Sequence, residues 1–123
     1  MDILIVDDNL DAAESLAEIL EPEGHSVTMG FDGMQAVDLY RETPFELVFM
    51  DLKMPVLDGM GAIRQIMEMD ENARIVVVTG NTVKEDLEEA LSLGIKGMLR
   101  KPINIREMFH LLNNLAGPGV MGN

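Results

Sequence analysis

Short runs of aliphatic and β-branched residues alternate along the chain with longer stretches in which apolar residues recur every three or four positions. Ile3-Leu4-Ile5-Val6 is apolar throughout, as expected of a strand covered on both faces. The period then changes. From Leu10 to Glu21, Ala13, Leu16, Ala17 and Leu20 form one helical stripe, and Glu14, Glu18 and Glu21 lie off it. Pro22 and Gly24 predict its end. A weaker strand at Val27 to Phe31 is followed by a helix with Ala36, Val37 and Tyr40 on one face. Leu47-Val48-Phe49-Met50 predicts a third strand, then a loop with Pro and Gly, then a helix whose Met60, Ile63 and Met67 share a face. Ile75-Val76-Val77-Val78 predicts a fourth strand, with Val83, Leu87 and Leu91 at helical spacing behind it. Gly97 to Leu99 is a short, poor strand, and Met108, Leu111, Leu112 and Leu115 line a last helix.

Five strands alternating with five helices predict an α/β protein: a parallel sheet with helices on both faces. At 123 residues without an internal repeat, the chain has enough material for one domain and too little for two ordinary cores. The expected domain is 1–116, and the Gly-Pro-Gly-containing stretch 117–123 is expected to be a mobile tail, as suitable for a linker as for a terminus. With aromatics at 4% and no Trp, the core is expected from Leu, Ile, Val, Ala and Met. The lack of Cys excludes disulfides, thiolate zinc sites and cysteine nucleophiles. The longest apolar runs are four residues, whereas a membrane span needs about twenty. Asp2, Asp7 and Asp8 also interrupt any signal-peptide pattern, so a cytoplasmic protein without membrane insertion is expected.

Charge narrows the field. The formal net charge of −13 repels nucleic acid and acidic membranes. Residues 1–40 hold ten acids and no Lys or Arg, while the other 83 hold twelve acids and nine bases. A solvated surface accounts for the acids on the helices. It does not account for Asp7 and Asp8, which abut an apolar strand.

The ends of the strands carry the chemistry. The first ends in Asp7-Asp8, the third in Asp51, the fourth in Thr79, and the fifth runs out just before Lys101. In a parallel sheet these ends lie on one edge, where ligands bind. Three clustered carboxylates call for shared protons or a cation among them. His25 and His110 lie away from the strand ends, so the donors are hard oxygens, which favour Mg²⁺. An ammonium and a hydroxyl opposite suit phosphoryl oxygens. No glycine-rich phosphate cradle follows the first strand, so phosphate is expected to become attached to a carboxylate. Asp51, alone on its strand and opposite the Asp7/Asp8 pair, is the best nucleophile.

Those residues carry a resemblance. Ile3-Leu4-Ile5-Val6-Asp7-Asp8-Asn9, Met50-Asp51-Leu52-Lys53-Met54-Pro55 with Asp58-Gly59, Thr79-Gly80 and Lys101-Pro102 occur in order from end to end. The chain thereby resembles the receiver domain of two-component response regulators, of the stand-alone CheY-like kind. The resemblance covers essentially residues 2–116 and implies a flavodoxin-like (βα)5 three-layer sandwich with strand order 2-1-3-4-5. It implies that Asp51 takes a phosphoryl group from a histidine kinase or histidine phosphotransfer protein. It implies that Asp8, Asp51 and the Lys53 carbonyl bind Mg²⁺, with Asp7 acting through metal-bound water. Thr79 would hydrogen-bond the phosphoryl group, Lys101 would pair with it, and Lys101-Pro102 would be a cis peptide. Gly59 would supply the backbone freedom needed for the turn into the third helix.

Output would follow from coupling Thr79 to the face formed by the fourth helix, fifth strand and fifth helix, read by a downstream protein. The switch position usually held by Tyr or Phe is Met98 here, whose thioether has no ring or hydroxyl to lock an inward state; a less discrete switch is expected. Lys53 stands beside the phosphorylation site and is expected to alter acyl-phosphate hydrolysis, in a direction the sequence leaves open. The acidic first helix is expected to favour a basic surface on the kinase.

Two other classes fit less well. A small Mg²⁺-dependent phosphatase of the haloacid-dehalogenase type has a second Asp two residues after its nucleophile, and here that position is Lys53. A receiver-like interaction module that is never phosphorylated typically lacks one of the acids or the Lys, and all are present here.

Overall fold

The computed structural model describes residues 1–80 and 84–115. In chain order it contains β1 (Asp2–Val6), α1 (Leu10–Leu20), a 3-10 turn (Glu21–Glu23), β2 (Ser26–Gly30) and α2 (Gly33–Glu42). Then come β3 (Leu47–Met50), α3 (Gly59–Met69), β4 (Ile75–Thr79), α4 (Lys84–Leu93), β5 (Gly97–Arg100) and α5 (Ile105–Leu115). All strand pairs are parallel, and the order across the sheet is β2-β1-β3-β4-β5. This is the flavodoxin-like arrangement, with strand order reversing beside β1.

Side chains alternate across the sheet and so make two cores. Leu4, Val6, Val48, Met50, Ile75 and Val77 face α2, α3 and α4, where Ala36, Val37, Ile63, Ile66 and Ala90 meet them. Ile3, Ile5, Leu47, Phe49, Val76 and Val78 face the other way, against Ala13, Leu16 and Leu20 of α1 and Met108 and Leu112 of α5. A strand buried on both faces has no polar position to spare, which is why β1, β3 and β4 read as continuous apolar runs. Among the described residues no helix is long and apolar enough to cross a membrane.

Several boundaries differ from expectation for local reasons. The first helix ends at Leu20 rather than Glu21, because Glu21 and Pro22 open a 3-10 turn that closes on Gly24 at φ 94°. The second strand ends at Gly30, and Phe31 instead donates its N–H to the Gln35 side chain at 2.9 Å as the chain enters α2. The expected face of the fourth helix needs correcting. Leu91 is 56% exposed, and α4 turns Ala90 and Leu93 toward the core instead. Val83 and the tail 117–123 lie outside the described residues.

Candidate functional site

The strands deliver their terminal residues to one edge, and main-chain hydrogen bonds carry the pairing past the strand ends. Asp7 N–H donates to the Gly30 carbonyl at 3.1 Å, Asp51 N–H to Val6 at 3.0 Å and Lys101 N–H to Thr79 at 3.0 Å. Asp7, Asp51, Thr79 and Lys101 are therefore each held beside a neighbouring strand by backbone. Asn9 adds a second restraint. Its N–H donates to Asp7 Oδ1 at 2.9 Å, and its own side chain caps α1 by accepting from Ala12 N–H at 2.9 Å.

The carboxylates of Asp7, Asp8 and Asp51 each bring an oxygen within 4.8 Å of the others. Asp7, Asp51 and Thr79 are buried, and Asp8 is exposed. The Lys101 ammonium bridges the buried pair, 2.7 Å from Asp7 Oδ2 and 3.3 Å from Asp51 Oδ2. Two carboxylates thus share one ammonium, with the exposed Asp8 beside them.

Burial pushes the Asp51 carboxyl above its ordinary value, and the Asp7 charge adds to the rise. The Lys101 charge and the N–H of Lys53, 3.3 Å from Asp51 Oδ1, oppose it without cancelling it. For Lys101, burial acts to lower the value, but the hydrogen bond to Asp7 and the charges of Asp51 and Asp7 outweigh it. The net result is a firmly protonated ammonium. A second cation with several oxygen ligands would complete the balance. Carboxylates alone, without Cys or His, make a donor set that fits Mg²⁺.

The remaining expected residues lie where the chain order requires. Lys53 directly follows the Asp51-Leu52 strand exit, and the Lys101–Pro102 peptide is cis. Met98 sits in β5 opposite Val77, half-buried against the α2–α3–α4 core and two residues short of the strand end. Gly59 needs a correction. Its φ is not positive; positive-φ glycines among the described residues are Gly24 and Gly94. Glycine is required there by close approach, since an added Cβ would overlap the Asp51 carbonyl oxygen and lie 2.6 Å from Leu52 Cα.

Two features escaped the sequence. Gly33, the first residue of α2, touches the loop between Asp51 and α3, and Val56 in that loop has φ 70°. An Asp-Gly pair before a helix reads only as a cap. A Pro-Val pair gives no sign of a left-handed residue.

The Response regulator receiver domain profile matches residues 3–113. The chain is 33% identical to the chemotaxis protein CheY of Treponema pallidum, over 86% of this chain and 76% of that one. It is 31% identical to sporulation initiation phosphotransferase F of Bacillus subtilis, over 86% of each. It spans only about half, 45%, of a 36%-identical response regulator receiver protein from Anaeromyxobacter. Among solved structures, the CheX–CheY–BeF3–Mg complex of Borrelia burgdorferi aligns with a TM-score of 0.89 at 27% identity, covering 95% of this chain and 90% of that one. A CheY-like receiver domain of Methanospirillum hungatei aligns with a TM-score of 0.88 at 26% identity, covering 92% and 90%. Motifs, profile and relatives agree: this chain belongs to the response regulator receiver domain family, the signalling modules of two-component systems.

Proposed function

We propose that Asp51 is the phosphoacceptor of a phosphorylation-dependent switch, charged by a histidine kinase or a histidine phosphotransfer protein in the cytoplasm. One observation carries the reading: two buried carboxylates share a single ammonium at the end of the central strands, leaving negative charge that the fold does not neutralise. Asp8, Asp51 and the Lys53 carbonyl would hold Mg²⁺ directly, and Asp7 would do so through water. When bound, Mg²⁺ neutralises charge on the phosphoryl oxygens.

The chain's own groups do the rest. An Asp51 carboxylate oxygen attacks phosphorus, the P–N bond of the donor phosphohistidine breaks, and its electron pair returns to the imidazole nitrogen. Burial strips water from the nucleophile and keeps competing water from it. Lys101 is close enough to Asp51 to exchange one carboxylate contact for a phosphoryl oxygen, and the Thr79 hydroxyl donates to another. The α4–β5–α5 face then presents the change to a downstream protein. Met98 gives that face a softer switch than an aromatic ring would. NMR spectra with and without a phosphoryl analogue should show fast exchange; two sharp, slowly exchanging states would count against the soft switch.

Intact mass after treatment with a small phosphoryl donor tests the central reading. The expected result is one Mg²⁺-dependent, base-labile phosphoryl group on the wild type and none on Asp51→Asn. No uptake by folded, Mg²⁺-bound wild type, from the small donor and from kinases alike, would overturn it in favour of a receiver-like interaction module.

A further inference from the structure

The loop from Lys53 to Asp58 leaves the phosphoacceptor strand and returns at α3. At its neck, Gly59 N–H donates to the Leu52 carbonyl at 2.9 Å. Beyond the neck it is nearly free of main-chain support. Among the described residues, one main-chain hydrogen bond reaches positions 53–57 from another helix or strand: Gly33 N–H, at the first position of α2, donates to the Leu57 carbonyl at 3.0 Å. The first amides of a helix have no partner within it, so this donor is available for the purpose.

The fit is too close for a side chain. A Cβ on Gly33 would overlap the Leu57 carbonyl oxygen, and would lie 2.8 Å from the carbonyl carbon and 2.9 Å from Leu57 Cβ. Two of those three atoms are backbone, so an alanine there is accommodated only by moving the loop.

The loop is also under strain. Val56, next to Leu57, has φ 70° and is 81% exposed. A β-branched residue in the left-handed region is disfavoured, and such a residue persists only where its surroundings over-determine it. Exposure means that Val56 is not held there by packing of its own side chain. The loop is held on either side of Val56 instead: Met54 and Leu57 pack against the core, and the Leu57 carbonyl is anchored on α2.

We propose that Gly33 is a positioning residue for the phosphoacceptor site. It acts as a clamp that holds the strained 53–57 loop in the conformation that sets Lys53 beside Asp51. The inference rests on the proposed Mg²⁺ and phosphoryl chemistry of that site. Its consequence is that α2, which contributes no ligand, controls the metal-binding loop.

The test compares wild type, Gly33→Ala, Val56→Gly and the double variant. Mg²⁺ affinity is read by calorimetric titration, and stability by thermal unfolding; loop order is read, without metal, by hydrogen exchange of the two amides that tie the loop, residue 33 to Leu57 and Lys53 to Asp51. Gly33→Ala should bind Mg²⁺ about tenfold more weakly, the scale expected when a residue supporting a ligand is lost, with faster exchange in the loop. Val56→Gly should raise Tm and leave Mg²⁺ affinity near wild type. In the double variant the relaxed loop should recover Tm but not Mg²⁺ affinity. That variant also serves if Gly33→Ala alone does not fold. Wild-type affinity in Gly33→Ala, or joint recovery of Tm and affinity in the double variant, would reduce Gly33 to a folding role and overturn the proposal. If the wild type itself binds no Mg²⁺, the phosphoacceptor reading fails. The clamp is then judged by exchange alone, and unchanged loop exchange in Gly33→Ala overturns it.

Discussion

At the edge of the sheet where the strands begin, Tyr40 and Arg74 each find a partner. The Tyr40 hydroxyl of α2 donates to Asp70 at the end of α3, at 2.6 Å, and the Arg74 guanidinium donates to the Leu115 carbonyl at the end of α5. At the opposite edge, Asp7, Asp8 and Asp51 face a single Lys101. Both edges are built by the same five strands, so the difference is not imposed by the fold. A buried group matched to one partner adds modestly to stability. Surplus buried charge subtracts from it. On the proposed function, the second edge is where stability has been given up for the binding of something cationic and the attack on something phosphorylated.

The strongest way to break the contrast is to remove the shared cation. Lys101→Ala leaves the Asp7 and Asp51 carboxylates facing each other without an ammonium. Because Lys101 is partly exposed, the expected loss is below the full value for a broken buried pair, about 2 kcal/mol in metal-free urea unfolding. Saturating Mg²⁺ should recover much of that loss, because on the proposed function the metal would occupy the same negative field. A deficit of equal size with and without Mg²⁺ would show that Lys101 serves packing rather than charge.

Asp51→Asn sharpens the contrast from the other side. The folded Asp51 carboxyl titrates above the unfolded value of 3.8, chiefly through burial. Its ionised form is therefore disfavoured in the fold. Below pH 3.8 both states are protonated, and wild type and variant should have similar stability. As pH rises through the folded value, wild type pays a cost the amide does not. At neutral pH without metal, Asp51→Asn should therefore have the higher Tm, and added Mg²⁺ should narrow or reverse the order. A metal-free variant less stable than wild type at neutral pH would mean that the Lys101 contact outweighs burial.

How far the sequence reached follows from the same physics. Strand and helix periods differ, so β1, β3 and β4 stood out as unbroken apolar runs. In a parallel sheet, Asp7, Asp8, Asp51, Thr79 and Lys101 must then converge, because every strand ends on the same side. What stayed hidden depends on contacts between distant parts of the chain. Nothing near Gly33 signals the Leu57 carbonyl, and Gly59 suggested backbone freedom when its real constraint is the Asp51 carbonyl above it. Val56 runs against its own preference, since a β-branched residue argues for an extended backbone. Leu91 misled because α4 buries little beyond Ala90, so a single exposed leucine shifts its apparent face.

The smallest expected effect lies at the matched edge. Tyr40→Phe removes one hydroxyl from a buried ring and leaves Asp70 Oδ2 free to find water, since that interaction is only part-buried. The expected loss is about 1 kcal/mol, typical of a single hydrogen bond. Burial, and then the bond to Asp70, push the Tyr40 hydroxyl well above its ordinary value of 10.0. The phenol's contribution is thus fully present below pH 10.0 and is lost only as pH rises through the still higher folded value. Between neutral pH and that limit the loss should be constant in chemical unfolding. Phosphoryl uptake and Mg²⁺ affinity should match wild type, because the substitution touches neither the strand ends nor the 53–57 loop. A change in either would mean that the two edges are coupled through α2, whose far end carries Gly33, and the separation between a matched edge and a charged one would no longer hold.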